Sequence, residues 1–101
     1  IVYGSAGVEE LPVPKEFVLY PAYPNPFNPS TTIHFDLPEE GFITLSVYDI
    51  TGKLVETLIN KTTPAGYHSH TWNPQNLASG LYIVRLKAGQ KIFNQKITFI
   101  K

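Results

Sequence analysis

From Thr31 onward apolar residues recur at every second position: Ile33, Phe35 and Leu37 alternate with Thr32, His34 and Asp36. That spacing predicts a strand with one buried face. FITLSVYD repeats it, with Ile43, Leu45 and Val47 on one side and Thr44, Ser46 and Tyr48 on the other. Asp49-Ile50-Thr51-Gly52 reads as a hairpin turn, in which Asp49 caps the turn backbone and Gly52 is free to take positive φ; KLVETLIN is then the return strand. After a turn at Pro64-Ala65-Gly66, Tyr67 to Trp72 forms a short strand with Trp72 as a core anchor. Asn73 to Gly80 is a loop. LYIVRLKA sends Tyr82, Val84 and Leu86 inward and Arg85 and Lys87 outward, Ala88-Gly89-Gln90 turns, and KIFNQKITFIK is the last strand. About seven strands, with turn signals roughly every ten residues, predict an all-β, Ig-like antiparallel β-sandwich.

Two segments lie outside this pattern. Residues 1–16, IVYGSAGVEELPVPKE, mix small residues, Pro and a Glu pair without periodicity, the composition of an exposed linker from an upstream domain. Residues 17–101 are then the sandwich. In FVLYPAYPNPFNPSTTI, Pro21, Pro24, Pro26 and Pro29 remove backbone donors and fix φ, so neither a helix nor a central strand fits; an extended edge segment does.

A hydrophobic fraction of 43% in 101 residues supplies one core and not two, and 16% charged residues is too few for a disordered tail. A net charge of +0 argues against a general electrostatic hold on nucleic acid or an anionic membrane. The charges are unevenly placed: every acidic residue lies at or before Glu56, whereas Lys61, Arg85, Lys87, Lys91, Lys96 and Lys101 follow it, so one edge of the domain is expected to be locally positive. Without Cys there is neither a disulfide framework nor a thiolate metal site. No run approaches the roughly 18 apolar residues of a membrane helix, so no membrane insertion is expected. Ile1 in place of an initiator Met is expected of a piece of a longer chain, whose export signal would lie upstream.

Candidate chemistry is thin. His68 and His70, two apart on a strand, point to one face and could chelate a metal, but no third ligand is evident; an exposed polar face accounts for them and for His34, and no metal or cofactor is expected. Gly-x-Ser-x-Gly, converging carboxylates and a Gly-rich phosphate cradle are all missing, so the domain reads as non-catalytic. Asn60-Lys61-Thr62 fits a glycosylation pattern too common to carry weight, and the prolines of Asn25-Pro26-Phe27 serve equally as edge protection.

Together, the blocks YPNPFNPSTTI, VYDITGKLVETL, ASGLYIVRL and the closing KITFIK resemble, in order, the type A C-terminal sorting domain of type IX secretion cargo in the Bacteroidetes and related bacteria. The Ig-like domain of flagellar hook-capping proteins shares the first block, but there an Asp-Gly-x-Asp loop usually follows the Trp, where this chain has Asn73-Pro74-Gln75-Asn76. The resemblance implies an address tag that carries an upstream cargo domain through the periplasm and an outer-membrane translocon to the cell surface or beyond. A sortase-like peptidase commonly removes the tag. Carried over, the recognition residues are Pro24, Asn25, Pro26 and Phe27, then Gly80 and Tyr82, then Lys96, Ile97, Phe99 and Lys101, with cleavage expected near Gly4, Ser5, Ala6 and Gly7. The final strand is expected to expose backbone groups to a partner strand. A rival reading, a carbohydrate-binding or adhesion module of an extracellular enzyme, requires a solvent-facing row of aromatics, for which Phe42, Tyr48, Tyr67 and Phe93 are candidates.

Overall fold

Alternation of apolar and polar residues forces each strand to bury one face, and two sheets stacked on those faces satisfy all of them at once. In the computed structural model, which describes residues 13–101, β1 (Val18–Leu19), β2 (Thr31–Leu37) and β5 (Gly66–Trp72) form a 3-stranded sheet in the order β1-β2-β5. β3 (Gly41–Asp49), β4 (Leu54–Thr63), β6 (Gly80–Ala88) and β7 (Lys91–Phe99) form a 4-stranded sheet in the order β4-β3-β6-β7. Every strand pairing is antiparallel. Ile33, Phe35, Ile43, Leu45, Val47, Val84, Leu86 and Ile97 interdigitate as the solvent-free centre, as the alternation predicts.

The hairpin turn between β3 and β4 is built as expected. Asp49 Oδ1 accepts from the Thr51 hydroxyl (2.6 Å), the Thr51 N–H (2.9 Å) and the Lys53 N–H (3.0 Å), while Gly52 takes φ 92°. β4 runs on to Thr63, past the expected end at Asn60, because Thr62 and Thr63 pair with Phe42 and Gly41. Of the segment read as a linker, the described part is 13–16, in which Pro14 is buried and its neighbours are exposed.

Four outward or polar positions, Asp36, Ser46, His68 and His70, differ from the sequence reading. Asp36 and Ser46 are buried although the alternation turns them outward; Asp36 lies under Tyr20, whose hydroxyl donates to its Oδ2. His68 shares the inward parity of Trp72, stacks on Phe35 at 5.2 Å between centroids and contacts the Pro64 carbonyl through Nε2 (2.8 Å). His70, also half-buried, continues the same row. An exposed polar face therefore accounts for His34 alone.

The two lateral sides of the sandwich are unlike. Between β4 and β5 a crevice of about 530 Å³, lined by Phe35, Leu58, Ile59, His68 and His70, remains open, spanned at its end by Trp72 Nε1 donating to Glu56 Oε1 (2.9 Å). Between β1 and β7 the proline-rich segment closes the gap, and the candidate site is built there.

Candidate functional site

Leaving β1, the chain follows β2 as far as Tyr23: Tyr20 N–H donates to the His34 carbonyl (3.0 Å), and Tyr23 and Thr32 exchange backbone bonds of 3.1 and 2.9 Å. Prolines then prevent further ladder pairing, and the segment crosses to the other sheet. The Tyr23-Pro24, Asn25-Pro26 and Asn28-Pro29 peptide bonds on this strap are cis. The buried Thr31 hydroxyl fixes the crossing by donating to the Pro24 carbonyl (2.7 Å).

On the far side the strap lies along β7. Phe27 N–H donates to the Thr98 carbonyl (2.9 Å) and the Phe27 carbonyl accepts from Ile100 N–H (3.0 Å), a single parallel bridge to Phe99. Asn25 extends it with its side chain, accepting from Thr98 N–H (2.9 Å) and donating to the Lys96 carbonyl (3.2 Å). A primary amide can meet a strand this way because the carbonyl of one residue and the N–H two residues on point to the same side. Gln95 does the converse from β7, donating to the Tyr20 carbonyl (2.7 Å) and accepting from Ala22 N–H (2.8 Å). Beneath this double clasp the Phe27 ring packs 5.1 Å from Phe99 and 5.6 Å from Trp72.

The loop before β6 reaches the same end of the molecule. Tyr82, buried and edge-on to Trp72 at 6.3 Å, donates its hydroxyl to the Ala78 carbonyl (2.6 Å). Ser79 Oγ accepts the Lys101 N–H (2.7 Å), and Gly80 pairs with Phe99. Three blocks distant in sequence, residues 24–27, 78–82 and 96–101, thus form one hydrogen-bonded unit around the C-terminal strand.

The structure sorts the residues singled out from sequence into two kinds. Pro24, Asn25, Pro26, Lys96 and Lys101 are exposed and Gly80 is half-buried, whereas the side chains of Phe27, Tyr82, Ile97 and Phe99 are buried and make the platform beneath. The expectation of a free backbone edge fails for the end of β7. From the Lys96 carbonyl to the Ile100 N–H, the strand is bonded by Asn25 and Phe27. Gly4, Ser5, Ala6 and Gly7 lie outside the described residues.

Sequence reasoning missed Gln95 and Ser79. A polar Gln at an inward-parity position of KIFNQKITF is the signal that marks Gln95, since such a side chain must find partners inside. Ser79 carries no comparable mark.

Among the described residues no three His, Cys, Asp or Glu gather in one place. Two titrating groups among the described residues are displaced from their ordinary values, and each is engaged locally. The Tyr20 phenol is raised by its hydrogen bond to Asp36, by desolvation and by that carboxylate's charge. Asp49 is lowered by the Thr51 hydroxyl and the Lys53 N–H. Of the candidate sugar-stacking aromatics, Phe42 and Tyr48 share the outer face of β3, Tyr67 is on the outer face of the other sheet, and Phe93 stacks on Phe17 at 4.7 Å.

A family model described as a secretion system C-terminal sorting domain matches residues 21–101, which include the strap and every strand from β2 to β7. Among solved structures, the crystal structure of CopC from Methylosinus trichosporium OB3b is similar at 20% identity and a TM-score of 0.46, over 83% of this chain and 91% of that one. No curated protein matches the sequence.

Proposed function

The chain belongs to the family of secretion system C-terminal sorting domains, and we propose that its type IX export signal is read at the end of the sandwich where the strap, the Ser79 loop and the C-terminal strand meet. The observation that supports this reading is the junction itself. Asn25 bonds to β7 across 73 positions and Ser79 to Lys101 across 22, so blocks separated in sequence present one continuous surface. Its exposed members, Pro24, Asn25, Pro26, Lys96 and Lys101, are those a receptor reaches; its buried members hold them in place.

On this reading the domain performs no reaction. Residues 17–101 form the sorting unit, the upstream cargo is the passenger, and an outer-membrane translocon is the receptor. The passenger crosses the periplasm and emerges at the cell surface or outside. A sortase-like peptidase separates cargo from tag in the leading segment, at the small residues Gly4 to Gly7.

The test is a reporter protein ending in these residues, expressed in a host with a working type IX apparatus. Export above an untagged control is expected, with loss on Lys96→Glu/Lys101→Glu in a domain whose melting temperature is unchanged. Export of that charge-reversed variant at the unaltered level would remove this end of the molecule as the receptor contact.

A further inference from the structure

The outer face of the 4-stranded sheet combines exposed aliphatic side chains with an excess of one charge. Register places Leu54, Tyr48 and Ile83 side by side across β4, β3 and β6, and the same row ends at Lys96 of β7. Leu81, two residues before Ile83, adds to the strip; Leu54 is 50% and Leu81 40% exposed. Arg85 flanks the strip, with its guanidinium 5.0 Å from the Tyr48 ring centroid and its Nε bonded to Asn94 Oδ1 (2.9 Å).

The outward positions of these strands carry Arg85, Lys87 and Lys96 and no carboxylate. The nearby acids face elsewhere, Glu56 to Trp72 Nε1 and Asp49 into its own turn. Three of the six cations that follow Glu56 in the sequence thus share one face. The opposite outer face is different in kind: Tyr67, His34, Ser69 and Thr71 share it with the Asp36 carboxylate.

We infer that this face is a second docking surface for the export machinery, contacted by a protein that presents an apolar ridge flanked by carboxylates. The inference rests on the sorting function proposed above and extends it from the end of the molecule onto one face, with Lys96 common to both. Apolar residues with an Arg-stacked Tyr at their centre have the make-up of an interface core, and fixed cations at the margin select an acidic partner and speed its approach. A lipid surface fits poorly: polybasic membrane sites use about four to eight cations on a helix or juxtamembrane segment, and here three, Arg85, Lys87 and Lys96, stand on the face of a sheet.

The experiment uses the same exported reporter with Leu54→Ser/Arg85→Glu on this face and Tyr67→Ser on the opposite face, each checked for an unchanged melting temperature. The face variant is expected to lower secreted reporter by about ten-fold or more, the effect of losing one interface hot spot, with reporter accumulating in the periplasm while Tyr67→Ser is exported normally. Wild-type export of the face variant overturns the inference and leaves the sorting function standing. Failure of the unaltered domain to raise export above the untagged control removes both. Co-sedimentation of the purified domain with vesicles of phosphatidylglycerol and phosphatidylcholine, lost in the face variant, replaces the protein partner with a lipid one and overturns the assignment made here. Should Leu54→Ser perturb the fold, Arg85→Glu alone gives the same contrast through an exposed side chain.

Discussion

Asn25 and Gln95 hold each other's strands: the Asn25 amide is bonded to the backbone of Lys96 and Thr98 on β7, and the Gln95 amide to the backbone of Tyr20 and Ala22 on the strap. Neither side chain touches the other, yet each acts on the segment that carries its counterpart. An edge strand invites intermolecular pairing, and covering it with a proline-rich segment removes that hazard while the prolines limit the donors the cover itself exposes.

Asn25→Ala and Gln95→Ala should each lower stability by about 1–3 kcal/mol, two modest hydrogen bonds lost per substitution. Because both restrain one strap, the double variant should lose less than the sum of the two single losses. Urea unfolding of the four proteins of the cycle measures this. Strict additivity would mean that the two amides act on independent segments.

Phe27 sits in the middle of a motif that sequence reasoning assigns to recognition, but its ring is 2% exposed among Phe99 and Trp72. Phe27→Ala should therefore cost about 3–5 kcal/mol, and Phe27→Leu less than about 1.5 kcal/mol. If export follows folding at this position, Phe27→Leu retains it. A Leu variant that melts normally but is not exported would show that the aromatic ring is itself read.

Period-two alternation is sufficient to find β2, β3 and β6 with their inward residues, and β7 as a strand, because a sheet with one wet face leaves that trace directly in the sequence. Side-chain-to-backbone bonding leaves no such trace. Asn25 and Thr98 are partners across 73 positions, and an amide that binds peptide groups places no demand on the identity of the residues it binds. Prolines gave the strap its extended character, yet which sheet edge it covers depends on the crossing after Tyr23, fixed by Thr31 bonding to Pro24. Asp36 and His68 were misplaced for a related reason. Polarity marks them for solvent, and only Tyr20 and Phe35, packed on them from neighbouring strands, take them out of it.

Tyr82 should separate a packing role from a hydrogen-bonding one. Tyr82→Phe keeps the ring against Trp72 and removes the bond to the Ala78 carbonyl, which should cost about 1 kcal/mol. Amide exchange should accelerate in residues 73–79 and at Lys101, whose N–H is held by Ser79 in the same loop. Exchange that rises uniformly over all strands would instead place the hydroxyl in the global stability of the core.

Two locally bonded groups give the domain opposite dependences at the two ends of the pH scale. Asp49 titrates below its ordinary value of 3.8 because Thr51 and Lys53 donate to the carboxylate. A depressed acid binds fewer protons folded than unfolded near that value, so its contribution is fully present above about pH 4 and fades as pH falls through the native value. Tyr20 titrates above its ordinary 10.0, because ionisation would break the bond to Asp36 and set two anions together. Its contribution is complete below about pH 10 and is lost as pH rises through the native value. Urea midpoints should therefore separate wild type from Asp49→Asn at neutral pH and bring them together in acid. For Tyr20→Phe the gap should be present at neutral pH and close only as pH rises past about 10. A Tyr20→Phe gap that closes near neutrality would mean that ionisation of the phenol is not what governs the difference.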